Sequence, residues 1–169
     1  GKRWPFDVRD RQANKLSGGM KRRLGIAQAL IGEPRIVIVD EPTTGLDPEE
    51  RIRFRNLLAD LTQKEIIIIL STHIVGDISS TCTDMALLNK GQLIFNESPE
   101  KLVEEARGHV FQIDAMDGDL ELIKEKYPVI STIPSEMGYE VQVVAEEVND
   151  YHAKEIDPNL EHAYVYRME

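Results

Sequence analysis

Two adjacent carboxylates, Asp40 and Glu41, close the β-branched run Ile36-Val37-Ile38-Val39. A hydrophobic strand that delivers an Asp at its C-terminal edge can hold Mg²⁺, directly or through water, beside a phosphate. A second carboxylate immediately after it can orient or deprotonate an attacking water. His73 follows another aliphatic run, Ile66 to Leu70, through Ser71-Thr72. If the two runs are parallel neighbours they end at one sheet edge, where an imidazole can donate to a phosphate oxygen and hold the carboxylate in place. Upstream, Leu16-Ser17-Gly18-Gly19 precedes a helical pattern. Two glycines let backbone N–H groups approach an anion closely, Ser17 adds a hydroxyl, and a helix N-terminus adds partial positive charge. Each feature alone has a plain structural reading: a buried strand ending in acids, a Ser-Gly-Gly helix cap, a packing histidine. Their order along one chain favours chemistry.

The elements that must position these residues follow from periodicity. Met20, Leu24, Ala27, Leu30 and Ile31 recur at three and four residues, which predicts an amphipathic helix ending near Gly32 and Pro34. The run Arg35 to Asp40 predicts a strand buried on both faces of a parallel sheet. Asp47-Pro48-Glu49-Glu50 opens a helix reaching about Gln63, with Asp47 as N-cap and acids in the first turn. Ile66 to Leu70 is a second buried strand, so the order strand–helix–strand predicts a parallel crossover. A weaker helix, Ile74 to Thr83, leads to strands Asp84–Asn89 and Gln92–Asn96 around Lys90-Gly91, then to a helix capped at Ser98-Pro99 and ending near Gly108. Beyond about His109, strands at Val110–Ala115 and Tyr139–Ala145, a weaker one at Val129–Ile133, a helix at Leu120–Tyr127 and a last helix opened by Asp157-Pro158 predict a small α+β domain. The fold class is α/β in two parts, residues 1–107 and 108–169.

Composition sets outer bounds. The chain has 169 residues, 41% of them hydrophobic, enough for one sizeable core with a small second one. No apolar run approaches the roughly 20 residues needed to cross a bilayer as a helix, and the first eleven residues hold no apolar stretch of the secretory kind. One cysteine, Cys82, excludes an intrachain disulfide framework and suits a reducing cytosol. The net charge of −10 is unevenly spread: residues 1–35 hold nine Lys/Arg against three Asp/Glu, and residues 100–169 hold six against seventeen. The basic front suits phosphates or a partner; the acidic rear argues against nucleic acid there. His109, His152 and His162 lack metal-ligand spacing and are expected at the surface or in packing.

Leu-Ser-Gly-Gly, a buried strand ending in Asp-Glu, Gly45-Leu46-Asp47 and Ser71-Thr72-His73 occur in an order and spacing that resemble the ABC ATPase family over residues 10 to 105. The resemblance identifies Leu16 to Met20 with the signature motif, Asp40-Glu41 with the end of Walker B, Gly45-Leu46-Asp47 with the D-loop and His73 with the switch histidine. It implies a partial P-loop NTPase fold, ATP and Mg²⁺ as cofactors, and a head-to-tail dimer with two nucleotides between subunits. In that arrangement Ser17, Gly18 and Gly19 grip the γ-phosphate bound to the opposite subunit, Asp47 couples the two sites, Asp40 holds Mg²⁺, and Glu41 and His73 are catalytic. Met20 departs from the Gln common at its position. No G-x-x-x-x-G-K-[ST] phosphate loop occurs in the chain. The expectation is therefore a piece running from the signature motif onward, inactive alone, whose sheet lacks a central strand and is stable only in a swapped or oligomeric arrangement.

The function expected is ATP hydrolysis coupled to export through a separate permease, with the subunit peripheral on the cytoplasmic face of the membrane. The closing segment Pro158-Asn159-Leu160-Glu161-His162-Ala163-Tyr164 resembles the tails of ATPase subunits from bacterial drug and antibiotic exporters. Two other readings stand beside it: a soluble ABC ATPase acting on DNA or ribosomes, and a non-catalytic dimerisation or regulatory module.

Overall fold

The computed structural model describes residues 12–63, 66–116 and 118–169 and divides the chain into two compact units, one up to Asp77 and one from Ile78. The spatial division thus precedes the change in composition near residue 108.

In the first unit, helix α1 (Gly18–Ala29) leads to strand β1 (Ile36–Asp40), helix α2 (Pro48–Thr62) and strand β2 (Ile67–Ser71), with helix α3 (Val75–Thr81) beginning at its end. α1 and α2 start where their cap residues sit: the Ser17 hydroxyl accepts from Met20 N, and Asp47 Oδ1 accepts from Glu50 N at 2.8 Å. Each cap satisfies one of the four N–H groups that a helix start leaves without partners. β1 and β2 are parallel and pair from Ile36↔Ile67 to Asp40↔Ser71, so the expected crossover is present.

Burial corrects the sequence reading of these strands. Ile26, Leu46, Phe54, Leu58 and Leu61 form a core to which Val39, Ile68 and Leu70 turn from one face of the pair. The alternate residues Ile36, Ile38, Ile67 and Ile69 face outward, each more than half exposed. Strand side chains alternate between faces, and among the described residues of this unit α1 and α2 pack on one face only. Aliphatic composition revealed that both faces are apolar but not that both are covered. α1 likewise departs from expectation: Ile26 is its buried large side chain, while Leu24 and Ile31 of the predicted stripe are exposed.

The second unit opens with the hairpin of β3 (Met85–Asn89) and β4 (Gln92–Glu97). Lys90 and Gly91 both have positive φ, as the twist-matching two-residue turn requires. Helix α4 (Pro99–Glu105) follows, capped by Ser98. Strands β5 (Val110–Ala115), β6 (Val129–Ser135), β7 (Gly138–Val144) and β8 (Ala153–Glu155) form an antiparallel sheet ordered β6-β7-β5-β8, with helices α5 (Leu120–Lys126) and α6 (Leu160–Met168). Ile113, Ile123, Val141 and Val143, all fully buried, anchor its core. The weak strand expected at Val129–Ile133 extends to Ser135 because it pairs along β7, and β8, three residues long, carries too little pattern to be foreseen.

α6 begins at Leu160, not at Asp157-Pro158, because Asn159 and His162 cap each other. Asn159 Oδ1 accepts from His162 N at 2.9 Å, and His162 Nδ1 accepts from Asn159 N at 3.2 Å. With Nδ1 an acceptor, the neutral ring carries its proton on Nε2, which donates to Gln142 Oε1 at 3.0 Å. The Ser131 hydroxyl donates to the same oxygen. Burial holds the His162 pKa below its ordinary value, and nearby Glu161 opposes this. A depressed folded-state pKa means the unfolded chain binds the proton more readily, so this contribution is full above the ordinary histidine value near 6.5 and is lost as pH falls below it. We expect thermal stability to fall on acidification from pH 7 to pH 5. His162→Gln, which retains a capping side chain, should cost about 1 kcal/mol at pH 7 and flatten that fall. An unchanged slope in thermal melts of the variant would refute the assignment.

Candidate active site at the C-terminal edge of the parallel strand pair

The register Asp40↔Ser71 brings the ends of β1 and β2 side by side, and Asp40, Glu41, Ser71 and His73 each make a side-chain hydrogen bond there. The Ser71 hydroxyl donates to Asp40 Oδ1. Glu41 N–H donates to the Ser71 carbonyl at 3.0 Å and also reaches the Ser71 hydroxyl at 3.3 Å. Glu41 Oε1 lies 2.8 Å from His73 Nδ1, and Glu41 Oε2 accepts from the Thr44 hydroxyl at 2.9 Å. Both carboxylate oxygens are thus held while the group stays open to solvent.

Glu41 has φ +45, a left-handed conformation in which a residue with Cβ is strained by about 1–2 kcal/mol. The surroundings over-determine it. Ser71 fixes its N–H, the Arg22 guanidinium donates to its carbonyl, and Thr44 N–H reaches the same carbonyl at 3.4 Å. The turn beyond is anchored inside the unit by Thr43, whose hydroxyl donates to the Asp77 carboxylate; both residues are buried.

The electrostatics follow from these contacts. The hydrogen bond from His73 is the largest influence holding the Glu41 pKa below the ordinary glutamate value; partial desolvation opposes it and the Thr44 hydroxyl assists it. Glu41 is therefore ionised at neutral pH. Against a carboxylate, His73 Nδ1 must carry the proton, which leaves Nε2 facing away with a lone pair in the neutral ring. Donation by His73 to a phosphate thus requires the imidazolium, or release of Nδ1–H from Glu41.

The sequence-predicted residues fall into two sets. Asp40, Glu41 and His73 meet at the strand edge. Ser17 and Asp47 each cap a helix, and Gly18 and Gly19 form the first turn of α1. Gly18 is open on the side where a Cβ would stand, whereas a Cβ on Gly19 would lie 2.5 Å from Glu50 Oε2. That carboxylate is held by Arg23 at 3.0 Å and Arg53 binds its other oxygen at 3.1 Å, so Gly19 is small because α2 packs there. Arg22, Ser71, Thr43, Thr44 and Asp77 were not singled out as site residues from sequence. Thr43-Thr44 directly follow the acid pair and Pro42, and that proximity was their available signal.

For a divalent cation, the chemistry of the donor set fits Mg²⁺ held through one carboxylate: Asp40 keeps one oxygen free of Ser71, and Mg²⁺ commonly takes one or two carboxylates with phosphate and water as further ligands. Among the described residues no three His, Cys, Asp or Glu side chains gather into an all-protein metal site.

Thr43→Val should remove a hydrogen bond to a buried carboxylate and cost about 1.5–3 kcal/mol. Denaturant unfolding reads the cost directly, and a value within about 0.5 kcal/mol of wild type, the range of neutral surface changes, would show that Thr43 does not anchor the turn.

The surrounding sequence matches known proteins. Residues 5–44 match the family model described as ABC transporter. A probable multidrug ABC transporter ATP-binding protein, YbhF of Escherichia coli, is 35% identical over 72% of this chain and 21% of its own length. The Nod factor export ATP-binding protein I of Rhizobium sp. strain N33 is 41% identical over 59% of this chain and 33% of its own. Among solved structures, cbiO1 of Clostridium perfringens, part of the ABC transporter complex cbiONQ, superposes with a TM-score of 0.54 at 32% identity, covering 59% of this chain and 40% of that one. The chain spans roughly a fifth to two fifths of these relatives. With Leu16 to Met20, Asp40-Glu41 and His73 in that order on an α/β frame, the chain is similar over these stretches to ABC transporter ATP-binding proteins.

Proposed function

We propose that this chain supplies the signature segment, the Walker B carboxylates and the switch histidine of an ATP-hydrolysing subunit that drives export through a separate membrane permease. The observation that carries this is the Glu41–His73 pair at 2.8 Å, on the strand edge that also bears Asp40. A carboxylate ionised at neutral pH and fixed at both oxygens is suited to orient a water for in-line attack on a γ-phosphate. Its depressed pKa makes it a weak base, so positioning the water contributes more than full removal of its proton. Asp40 would hold Mg²⁺, which supplies charge neutralisation of the phosphates when bound.

The phosphate loop would come from another stretch of polypeptide, since the chain contains none and spans only part of its relatives' length. In a head-to-tail dimer, the start of α1, open at Ser17 and Gly18 with Gly19 packed behind them against Glu50, would meet the nucleotide of the opposite subunit, and Asp47 would lie along the interface. No helix among the described residues is long and apolar enough to cross a membrane, so a permease would supply the span and place the subunit at the cytoplasmic face. The exporter reading draws on the multidrug and Nod factor names of the similar proteins.

In the complete subunit carrying this segment, Glu41→Gln should leave ATP binding intact and lower hydrolysis by about a hundredfold or more; wild-type turnover would remove Glu41 from the mechanism. Ser17→Arg should leave nucleotide binding to the monomer unchanged and block ATP-dependent dimerisation in light scattering. Closure of that variant would refute the trans-phosphate role. Calorimetry of Mg-ATP with the 169-residue chain should give no heat of binding; tight binding lost in Asp40→Ala would mean that these residues build a complete nucleotide site.

A further inference from the structure

We propose that Arg22 is a positioning residue for Glu41: from the second turn of α1 its guanidinium donates to the carbonyl oxygens of Glu41 and Thr44 and so fixes the turn that aims the carboxylate. The inference rests on the catalytic reading of Glu41 given above.

Glu41 has left-handed backbone geometry, and its peptide planes must be held from both sides for the side chain to stay on His73. On the N-terminal side Ser71 of β2 does this through Glu41 N–H. On the C-terminal side, Thr44 N–H reaches the Glu41 carbonyl at a long 3.4 Å, which leaves Arg22 as the strong charged donor. Its second nitrogen takes the Thr44 carbonyl at 2.6 Å, on the residue whose hydroxyl binds Glu41 Oε2. One planar fork therefore restrains the backbone of the carboxylate and of its side-chain partner together. A lysine, with a single nitrogen on a flexible stem, cannot reproduce that fork.

The neighbouring Arg23 is committed elsewhere, to Glu50 at 3.0 Å beneath Gly19. Arg22 also lies five residues after Ser17, about 7.5 Å along the helix axis. A shift of the phosphate-facing end of α1 is carried to Glu41 within the same chain, through one side chain, without passing through the sheet.

The test has two arms. In the 169-residue chain at constant pH, NMR backbone chemical shifts and amide hydrogen exchange from Glu41 to Thr44 read the geometry of the turn. Arg22→Gln should move the Glu41 shifts away from left-handed values and speed exchange at the Glu41 and Thr44 amides, Arg22→Lys should stay displaced with it, and Arg23→Gln should leave both as in wild type. Wild-type shifts and exchange in Arg22→Gln overturn the proposal. So does complete restoration in Arg22→Lys, which would assign the effect to charge alone. In the complete subunit, Arg22→Gln should lower kcat by about ten- to a hundredfold, the scale of a small misplacement, with little change in KM for ATP; a rise in KM at unchanged kcat also overturns it. If wild-type subunit hydrolyses no ATP, the functional reading fails while the chemical-shift and exchange arm still decides whether Arg22 positions Glu41.

Discussion

The parallel pairing of β1 with β2 is the constraint from which the site descends. A parallel ladder brings strand ends with the same polarity to one edge, and the register Asp40↔Ser71 sets which residues meet there. A slip of β1 by one residue would turn Val37 and Val39 out of the core and Ile36 and Ile38 in. It would also separate Glu41 N–H from the Ser71 carbonyl. Apolar packing of Val39, Ile68 and Leu70 against the α2 core therefore decides, through register alone, that Asp40, Glu41 and His73 share a neighbourhood.

Register brings the residues to the edge but does not aim them. Aim comes from a small polar network in which each backbone hydrogen bond of Glu41 has an identifiable donor or acceptor and both carboxylate oxygens are taken. The same economy operates at the helix starts. Ser17 uses a lone pair to cap Met20 N–H, so its own O–H remains available for an anion. The plain structural reading of Ser17 and the functional one thus use different parts of one hydroxyl. Asp47 likewise caps α2 through Oδ1 and keeps Oδ2 for other partners.

What could be read from sequence divides along the range of the forces involved. Caps, turns and runs are local, so the starts of α1 and α2, the Lys90-Gly91 hairpin and most strands of the second unit were legible. The meeting of Glu41 with His73 was legible too, because one parallel pairing suffices to bring them together. Burial was not. The same alternation makes Val37 buried and Ile38 exposed, and only the placement of α2 distinguishes their faces. Arg22 is one of nine Lys/Arg in residues 1–35, and nothing local distinguishes an arginine that grips two carbonyls from one that faces water. The start of α6 was misplaced because Asp157-Pro158 is a stronger generic start than Asn159, until His162 completes the reciprocal cap.

The two units also differ in how firmly they are built. Among the described residues, the side chains with no exposed surface, from Leu102 and Val110 to Val143 and Ala163, belong to the second unit, and the deepest of the first, Phe54 and Thr43, keep about 2%. The first holds the candidate chemistry on a two-stranded sheet with one apolar face outward. Dense packing resists small displacements, and a thinly covered sheet resists them less. Precision at Glu41 must then come from short-range polar restraints, which act over a few ångströms whatever the core around them does. That accounts for the concentration of charged and hydroxyl partners on the five residues from Asp40 to Thr44: Ser71 and His73 from the β2 side, Arg22 from α1, and Asp77 from α3. Three separate elements converge on one turn, and the loss of any one of them leaves the strained backbone of Glu41 with fewer reasons to keep its geometry.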